Sequence, residues 1–262
     1  MRTPWSLAIG TLVLLIAGCD LPIGEAGDGP HVISITPSLT GTPIARDATF
    51  RIELDRRVTP SSAVDGVVEI TSGDNYVWLA QHIDVVHPAL IVTPLDPMDP
   101  DVNYGLRVRA LRDFDGHASR ELPRVLFHTS HALGTRAPPA AVPFAEVAPA
   151  LAGCATSGCH AGSRAPLGLD LSSATAVRAT AIGVPAREER SSVDGYLDTA
   201  VSAALLGLPR VDPGNPARSY LLYKMLGDPH IAGASMPPSG DASSSADLEL
   251  VQRWIFAGAS TD

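Results

Sequence analysis

Residues 49–54 read TFRIEL, and in this run the apolar Phe50, Ile52 and Leu54 alternate with polar side chains. A period of two is typical of a strand that buries one face. Similar short runs lie on both sides, separated by clusters of Pro, Gly, Asp and Asn, at residues 32–35, 67–70, 90–92, 104–108 and 125–127. About seven strands in roughly 100 residues predict an all-β sandwich over residues 31–131.

The order of features within residues 31–131 resembles the bacterial Ig-like domains found in surface and cell-envelope proteins. The matching stretches are Ile35-Thr36-Pro37, Thr49-Phe50-Arg51-Ile52 with Arg57-Val58, Thr93-Pro94-Leu95, Asn103-Tyr104, Asp113-Phe114-Asp115-Gly116 and Phe127-His128-Thr129. The resemblance implies an N-terminal Ig-like domain that carries a fold and no reaction of its own.

Most of the histidines lie in or just after this predicted domain, and none of them has a second His or Cys at a metal-ligand spacing. They are His31, His82, His87, His117, His128 and His131. Solvated loop or strand positions explain them. Asp113, Asp115 and Gly116 could begin a calcium loop, but an EF-hand needs more acidic ligands and a closing Glu. We interpret these three residues as a tight Asp-Gly turn.

Composition limits the possible functions. The chain has 262 residues, 45% of them hydrophobic, and a formal net charge of −9. That hydrophobic content is enough for a buried core, which excludes a fully disordered chain. The acidic balance repels phosphate backbones and excludes nucleic-acid binding as the main task.

The N-terminus has the features of an export signal over residues 1–18. Arg2 supplies a positive start, and the apolar run from Leu7 to Ile16 is too short to span a bilayer. The junction Leu15-Ile16-Ala17-Gly18-Cys19 resembles a bacterial lipobox. The resemblance implies that Cys19 is acylated and that residues 19–30 form a lipid-anchored tether. An ordinary secretory signal with a chance cysteine is the alternative.

The other two cysteines lie in the segment Cys154-Ala-Thr-Ser-Gly-Cys159-His160, beyond a Pro- and Ala-rich linker at residues 132–143. Two cysteines followed directly by a histidine are the arrangement that covalent haem attachment requires, although the usual form has two intervening residues and this one has four. Further along, consecutive prolines after Met236 predict a stiff extended loop that can present the thioether to an iron.

A helix is predicted after that loop. Ser244 or Ser245 can cap its first turn, and Gly258 is placed to end it. Apolar residues recur on one face at Leu248, Leu250, Val251, Trp254 and Ile255.

Residues 144–259 resemble the small c-type cytochrome domains of bacterial envelope proteins. The matching stretches are Phe144 to Leu151 leading into Cys154 and Cys159-His160, Leu169-Asp170-Leu171-Ser172, Val211-Asp212-Pro213-Gly214-Asn215-Pro216 with Ser219-Tyr220-Leu221-Leu222, Met236-Pro237-Pro238, and Trp254-Ile255-Phe256-Ala257-Gly258-Ala259. The resemblance implies an all-α cytochrome c-like domain over residues 144–262 with one covalent haem c. It makes Cys154 and Cys159 the thioether residues, His160 the proximal iron ligand and Met236 the distal ligand.

Alternatives stay open for each of these roles. Cys154 and Cys159 could form a disulfide, or a zinc site with His160 and His230. His230 also competes with Met236 as distal ligand, and an open sixth position is a further possibility. Met225 is interpreted as helix core.

The function expected from the sequence is a lipid-anchored c-type cytochrome of the bacterial cell envelope. It would face the periplasm or exterior, carry single electrons to a redox partner with a basic docking face, and catalyse no reaction. The Ig-like domain would be a spacer or docking module. The alternatives are a haem-based sensor or peroxidase with an open sixth position, and a haem-free surface interaction lipoprotein with a Cys154–Cys159 disulfide.

Overall fold

The computed structural model describes residues 29–63, 66–134, 140–186, 205, 207–238 and 243–262. The predicted signal peptide, Cys19 and most of the tether therefore lie outside the described residues. Among the residues that are described, no helix is long and apolar enough to cross a membrane.

The N-terminal part of the chain forms two four-stranded antiparallel sheets. The first has the order β1 (Val32–Thr36), β2 (Phe50–Leu54), β6 (Ala89–Pro94), β5 (Leu79–Asp84), and the second has the order β4 (Asn75–Tyr76), β3 (Val68–Ser72), β7 (Asn103–Val108), β8 (Leu122–His128). The chain crosses repeatedly between the two sheets. The prediction of an all-β sandwich in this region is confirmed.

The core of this N-terminal sandwich lies between the sheets and follows the period-two pattern. Phe50, Ile52 and Leu54 of β2 are all buried. The Phe50 ring lies 5.4 Å from that of Phe127 on the opposite sheet, and Phe127 in turn stacks on Tyr104. The contact between Phe50 and Phe127 packs the two sheets against each other.

Strands β4 and β5 are missing from the sequence-based prediction. In the run LAQHID of β5 the alternation fails on the side of the opposite sheet, where the polar Gln81 bonds to the backbone of Val68 in β3. On the other side, the His82 ring lies 4.3 Å from the ring of Phe256. A polar residue on the inner side and partial burial of the outer side remove the pattern on which the prediction depends.

The expectation of an all-α cytochrome c-like domain over residues 144–262 is wrong. In the described part of this C-terminal module the α-helices are short: α1 (Phe144–Leu151), α2 (Ala174–Thr180), α3 (Tyr220–Leu226) and α4 (Ser245–Phe256). Long loops and two 3-10 turns connect them, and the loops include isolated bridges such as Ile182 with Val211. Frequent Pro and Gly interrupt the helical pattern, so loop side chains such as Leu208 and Ile231 fill the core in place of helix faces.

The helix predicted after the Met236 loop is α4, and it packs on α1. The Phe144 ring lies 5.9 Å from the Trp254 indole, and Val147, Leu151 and Val251 are fully buried in the same contact region. The predicted apolar face of α4 is therefore confirmed.

The two regions share a polar interface. Arg57 of the sandwich lies 2.9 Å from Asp228 of the C-terminal module, and the Asp228 side chain is almost fully buried. Gln252 of α4 accepts hydrogen bonds from the amides of Val85 and Val86 and donates one to Asp84. The sandwich is thus packed against the module as well as joined to it.

Candidate functional site

Helix α1 places Cys154 at the start of the candidate site. The buried residues of this helix fix it against α4, and the Cys154 amide donates to the Leu151 carbonyl at 3.0 Å. Cys154 comes just after the helix and lies in the core, with only 4% of the residue exposed. Cys159 is partly exposed.

The four residues between the cysteines fold into a compact turn. The Cys159 amide donates to the Thr156 carbonyl, and the His160 amide donates to the Cys154 carbonyl, both at 3.0 Å. Gly158 has φ of +87°, a conformation that favours glycine. The four residues between the cysteines therefore form a turn that places the His160 amide beside the Cys154 carbonyl.

Both cysteines are free thiols, without the disulfide of the alternative interpretation. Burial raises the pKa of the Cys154 thiol, and the nearby Cys159 raises it further. Cys154 is therefore protonated at neutral pH and stays in the thiol form.

The orientation of the His160 imidazole is set by the segment after it. Its Nδ1 lies 3.2 Å from the Leu169 carbonyl, which can only accept, so in the neutral ring Nδ1 carries the proton and Nε2 the lone pair. Burial lowers the pKa of His160; the Leu169 carbonyl opposes this effect, and the charges of Arg210 and Lys224 add to it. The result is a neutral imidazole whose Nε2 is a potential metal ligand.

Arg210 holds the loop that carries Leu169. Its guanidinium is buried and donates to the carbonyls of Leu167, Gly168 and Thr180. The guanidinium thereby fixes the loop against α2 and positions the Leu169 carbonyl. This role of Arg210 leaves no signal in the sequence, since a single arginine in a Pro-rich stretch is part of no periodic pattern.

The Met236 loop reaches the cysteine segment from the other end of the module. The Met236 amide donates to the Lys224 carbonyl at 2.9 Å, and the Lys224 ammonium donates to the carbonyls of Ala232 and Ala234. A Cβ placed on Gly153 would lie 3.7 Å from Pro237, so this loop packs directly beside the residue that precedes Cys154. Met236 is partly buried against the core.

The competing residues have other surroundings. His230 places Nδ1 3.0 Å from Asp228 and Nε2 3.4 Å from Asp115 of the sandwich, so carboxylates occupy both sides of its ring. Met225 is buried in α3, as expected for a core residue. The structure therefore brings Cys154, Cys159, His160 and the Met236 loop into one part of the module, and His230 into the interface with the sandwich.

A second group of potential ligands lies at that interface. The predicted Asp-Gly turn is present, with the Gly116 amide donating to the Asp113 carbonyl at 3.2 Å, and ligand atoms of Asp113, Asp115 and His117 all lie within 4.8 Å of one another. The D-x-D-x-H spacing is the signal that could have indicated them.

The described residues define a β-sandwich packed on a loop-rich module that holds two free thiols beside a neutral imidazole. No family model matches this chain, and no curated protein matches it. Several solved structures match part of this chain. The N-terminal part of the bacterial S-layer protein SbsC shares 15% identity at a TM-score of 0.32, over 44% of this chain and 27% of that one. PcoC, a methionine-rich copper resistance protein from Escherichia coli, shares 13% identity at a TM-score of 0.33, over 39% of this chain and 99% of that one. This chain thus spans about a quarter of the S-layer structure, and similarity at this level defines neither family nor function.

Proposed function

We propose that this protein is a lipid-anchored carrier of single electrons in the bacterial cell envelope, with one covalent haem c held by Cys154 and Cys159. His160 is the proximal iron ligand in this proposal and Met236 the distal ligand. A bound haem supplies an iron that accepts and releases one electron. The fold that carries it is the loop-rich module described above.

The main support for the proposal is the conformation of Cys154, Cys159 and His160, the three residues of the proposed attachment segment. Both thiols are free, the turn between them is closed by backbone hydrogen bonds, and His160 directs Nδ1 to the Leu169 carbonyl. A haem-ligating histidine needs that orientation, because a hydrogen bond from Nδ1 leaves Nε2 available and fixes the ring. The donor set present in the chain therefore fits the group.

The Met236 loop supports the distal assignment. Lys224 fastens this loop to α3, and Pro237 packs beside Gly153. A thioether held at a fixed place costs less entropy to bring to a metal than one on a free loop. With both axial positions filled by protein, we expect electron transfer without turnover of a substrate.

The surface charge and the anchor complete the proposal. A formal charge of −9 favours a redox partner with a basic docking face. Acylation of Cys19 would hold the protein at a membrane, and the sandwich would support the haem-bearing module through their interface.

The first experiment tests covalent attachment. The full chain is exported in a host with cytochrome c maturation machinery, and the purified protein is stained for haem on a denaturing gel. We expect a stained band that disappears in the Cys154→Ser/Cys159→Ser double variant and persists in His131→Ala, a control at an exposed histidine. Properly exported protein without covalent haem would overturn the proposal.

A second experiment tests the distal ligand. Methionine ligation of ferric haem gives a weak band at the red end of the visible spectrum, and we expect Met236→Leu to abolish it. Met225→Leu is the matched control, because Met225 is buried in α3 and leucine has a similar volume. A high-spin ferric spectrum in the unmodified protein would contradict the carrier role.

A further inference from the structure

The loop Asp113–His117 of the sandwich presents three potential metal ligands on one side. Asp113 Oδ1 accepts hydrogen bonds from the amides of Asp115 and His117, at 3.0 and 2.9 Å. This local network winds the loop so that residues 113, 115 and 117 converge, with all three ligand atoms within 4.8 Å of one another. Asp113 is held firmly, whereas Asp115 is 69% exposed and can rotate.

A fourth donor comes from the C-terminal module, 115 residues along the chain. His230 Nε2 lies 3.4 Å from Asp115 Oδ1, and the His230 ring stacks on Phe114 with centroids 5.0 Å apart. On its other side, Nδ1 lies 3.0 Å from Asp228 Oδ1. A carboxylate can only accept, so Nδ1 carries a proton, and Nε2 is the ring nitrogen that faces Asp115 and could bind an ion.

The contact of His230 with Asp228 is of the kind that supports a metal-binding histidine. A histidine that binds a metal donates its second ring N–H to a carboxylate or carbonyl, which fixes its orientation. Asp228 is buried and also paired with Arg57 at 2.9 Å, so its own position is fixed. His230 is therefore oriented before any ion arrives.

Two of the distances between neighbouring donors match those in the shell of a small tetrahedral ion. His117 Nδ1 lies 3.3 Å from Asp113 Oδ2, and His230 Nε2 lies 3.4 Å from Asp115 Oδ1. Both are long for hydrogen bonds to carboxylates. Bonds of about 2.0–2.1 Å to a tetrahedral zinc ion place neighbouring donors about 3.3–3.4 Å apart.

We propose that Asp113, Asp115, His117 and His230 bind one divalent transition ion of the zinc class, and that this ion joins the sandwich to the C-terminal module. Two imidazoles and two carboxylates suit zinc, whereas calcium requires six to eight oxygen ligands. Rotation of the exposed Asp115 carboxylate opens the space in front of His230 Nε2 to an ion that the other three donors hold. Arg56, which lies 3.4 Å from Asp113 Oδ2, also contacts Asp55 and keeps that partner when the ion binds.

The site is separate from the proposed haem site. None of its four ligands belongs to the segment of Cys154, Cys159 and His160, and the ion has a structural role in holding two regions together. Zinc binding should therefore survive when both cysteines are replaced.

The test is a zinc titration by calorimetry on the full-length chain, purified in detergent without an affinity tag and dialysed against EDTA. We expect one equivalent to bind, with affinity at least about 100-fold weaker in Asp115→Asn and His117→Ala and about tenfold or more weaker in His230→Ala. Both Asp115 and His117 are exposed enough that circular dichroism should be unchanged. The matched control is His128→Ala, which removes an exposed histidine that contacts a single carboxylate, Asp101.

Further measurements distinguish the zinc site from the proposed haem site. The Cys154→Ser/Cys159→Ser variant should bind zinc as tightly as the unmodified chain, and saturating zinc should raise the melting temperature of both. Absence of binding at about 100 μM zinc, tighter binding of calcium chloride than of zinc chloride, or full affinity in His117→Ala would each overturn the site. Full affinity in His230→Ala would overturn the link between the two regions.

Discussion

The sandwich and the C-terminal module are stabilised in different ways. In the sandwich, each strand pairs along its backbone with a neighbour, so many equivalent hydrogen bonds share the task. In the module, long loops are held by single side chains, with Arg210 and Lys224 each donating to several carbonyls. A loop-rich region can therefore be well ordered, but its order depends on few residues.

The largest expected effect tests whether the two regions unfold together. Phe50 in the sandwich and Trp254 in the module are both fully buried, and the buried residues form one continuous cluster. We expect Phe50→Ala and Trp254→Ala each to lower the free energy of unfolding by about 3–5 kcal/mol. Because the regions share an interface, each variant should lower the melting temperature of both, seen as one calorimetric transition with hydrogen exchange followed in each region.

Leu126→Ala is the control for this pair, since Leu126 is a large apolar residue of β8 that lies on the surface. Its effect should stay within about 0.5 kcal/mol. Two separate transitions, with Trp254→Ala moving only one of them, would show that the regions fold independently.

The next effect concerns the dependence of the module on one side chain. Arg210→Met removes the donor to three carbonyls and leaves them in a site where Arg210 is only 6% exposed. Unmade hydrogen bonds of this kind should cost about 2–4 kcal/mol in urea unfolding. Arg178→Met removes an exposed arginine that contacts Thr261 and Asp262, and it should cost less than about 0.5 kcal/mol. Equal losses in the two variants would contradict the role given to Arg210.

The same contrast explains how much of the fold the sequence could predict. Period-two runs such as that of β2 located strands of the sandwich, because the apolar residues of β2 are buried and the polar residues between them are only partly buried. β5 was missed because the polar Gln81 lies on its inner side and bonds to the backbone of Val68. The all-α expectation failed because helical structure at the two ends of the module was extended to the residues between them. In the structure, tertiary contacts hold much of that stretch as loops.

The candidate site divides along similar lines. Local spacing identified Cys154, Cys159 and His160, and the loop chemistry of Met236-Pro237-Pro238 identified a segment that does pack beside Gly153. Arg210, Lys224 and the pairing of His230 with Asp115 could not be predicted, because each joins residues far apart in sequence. Contacts of that kind follow from the tertiary fold and leave no local pattern.

A smaller effect should appear at the interface between the two regions as a dependence on pH. Burial lowers the pKa of His82 to about 4 from an ordinary value of 6.5, although the nearby Asp84 charge opposes the shift. The unfolded chain therefore binds a proton below pH 6.5, whereas the folded protein stays neutral at this residue down to about pH 4. Stability from this source is complete above pH 6.5 and is lost at up to about 1.4 kcal/mol per pH unit as the pH falls from 6.5 towards 4.

His82→Phe should remove this part of the slope in unfolding measured between pH 7 and pH 4. The exposed His131→Ala serves as control and should keep the slope of the unmodified protein. A slope that His82→Phe leaves intact would mean that the imidazole is solvated and that the sandwich and the module do not cover β5.

The smallest effect tests how a single residue starts an element of the module. From the sequence, Ser244 and Ser245 are equal candidates for the cap of α4. In the structure the cap is Ser244, whose hydroxyl accepts a hydrogen bond from the Asp247 amide at 3.1 Å and donates one to the Asp247 carboxylate. Ser244→Ala should therefore cost about 1 kcal/mol, and Ser245→Ala, at the first helical position, should be neutral or slightly stabilising because alanine has the higher helix propensity. Matched urea unfolding of the two single variants decides between them. Equal effects would place the start of α4 elsewhere and would remove the contrast with the sandwich, whose strands are held by backbone pairing with their neighbours.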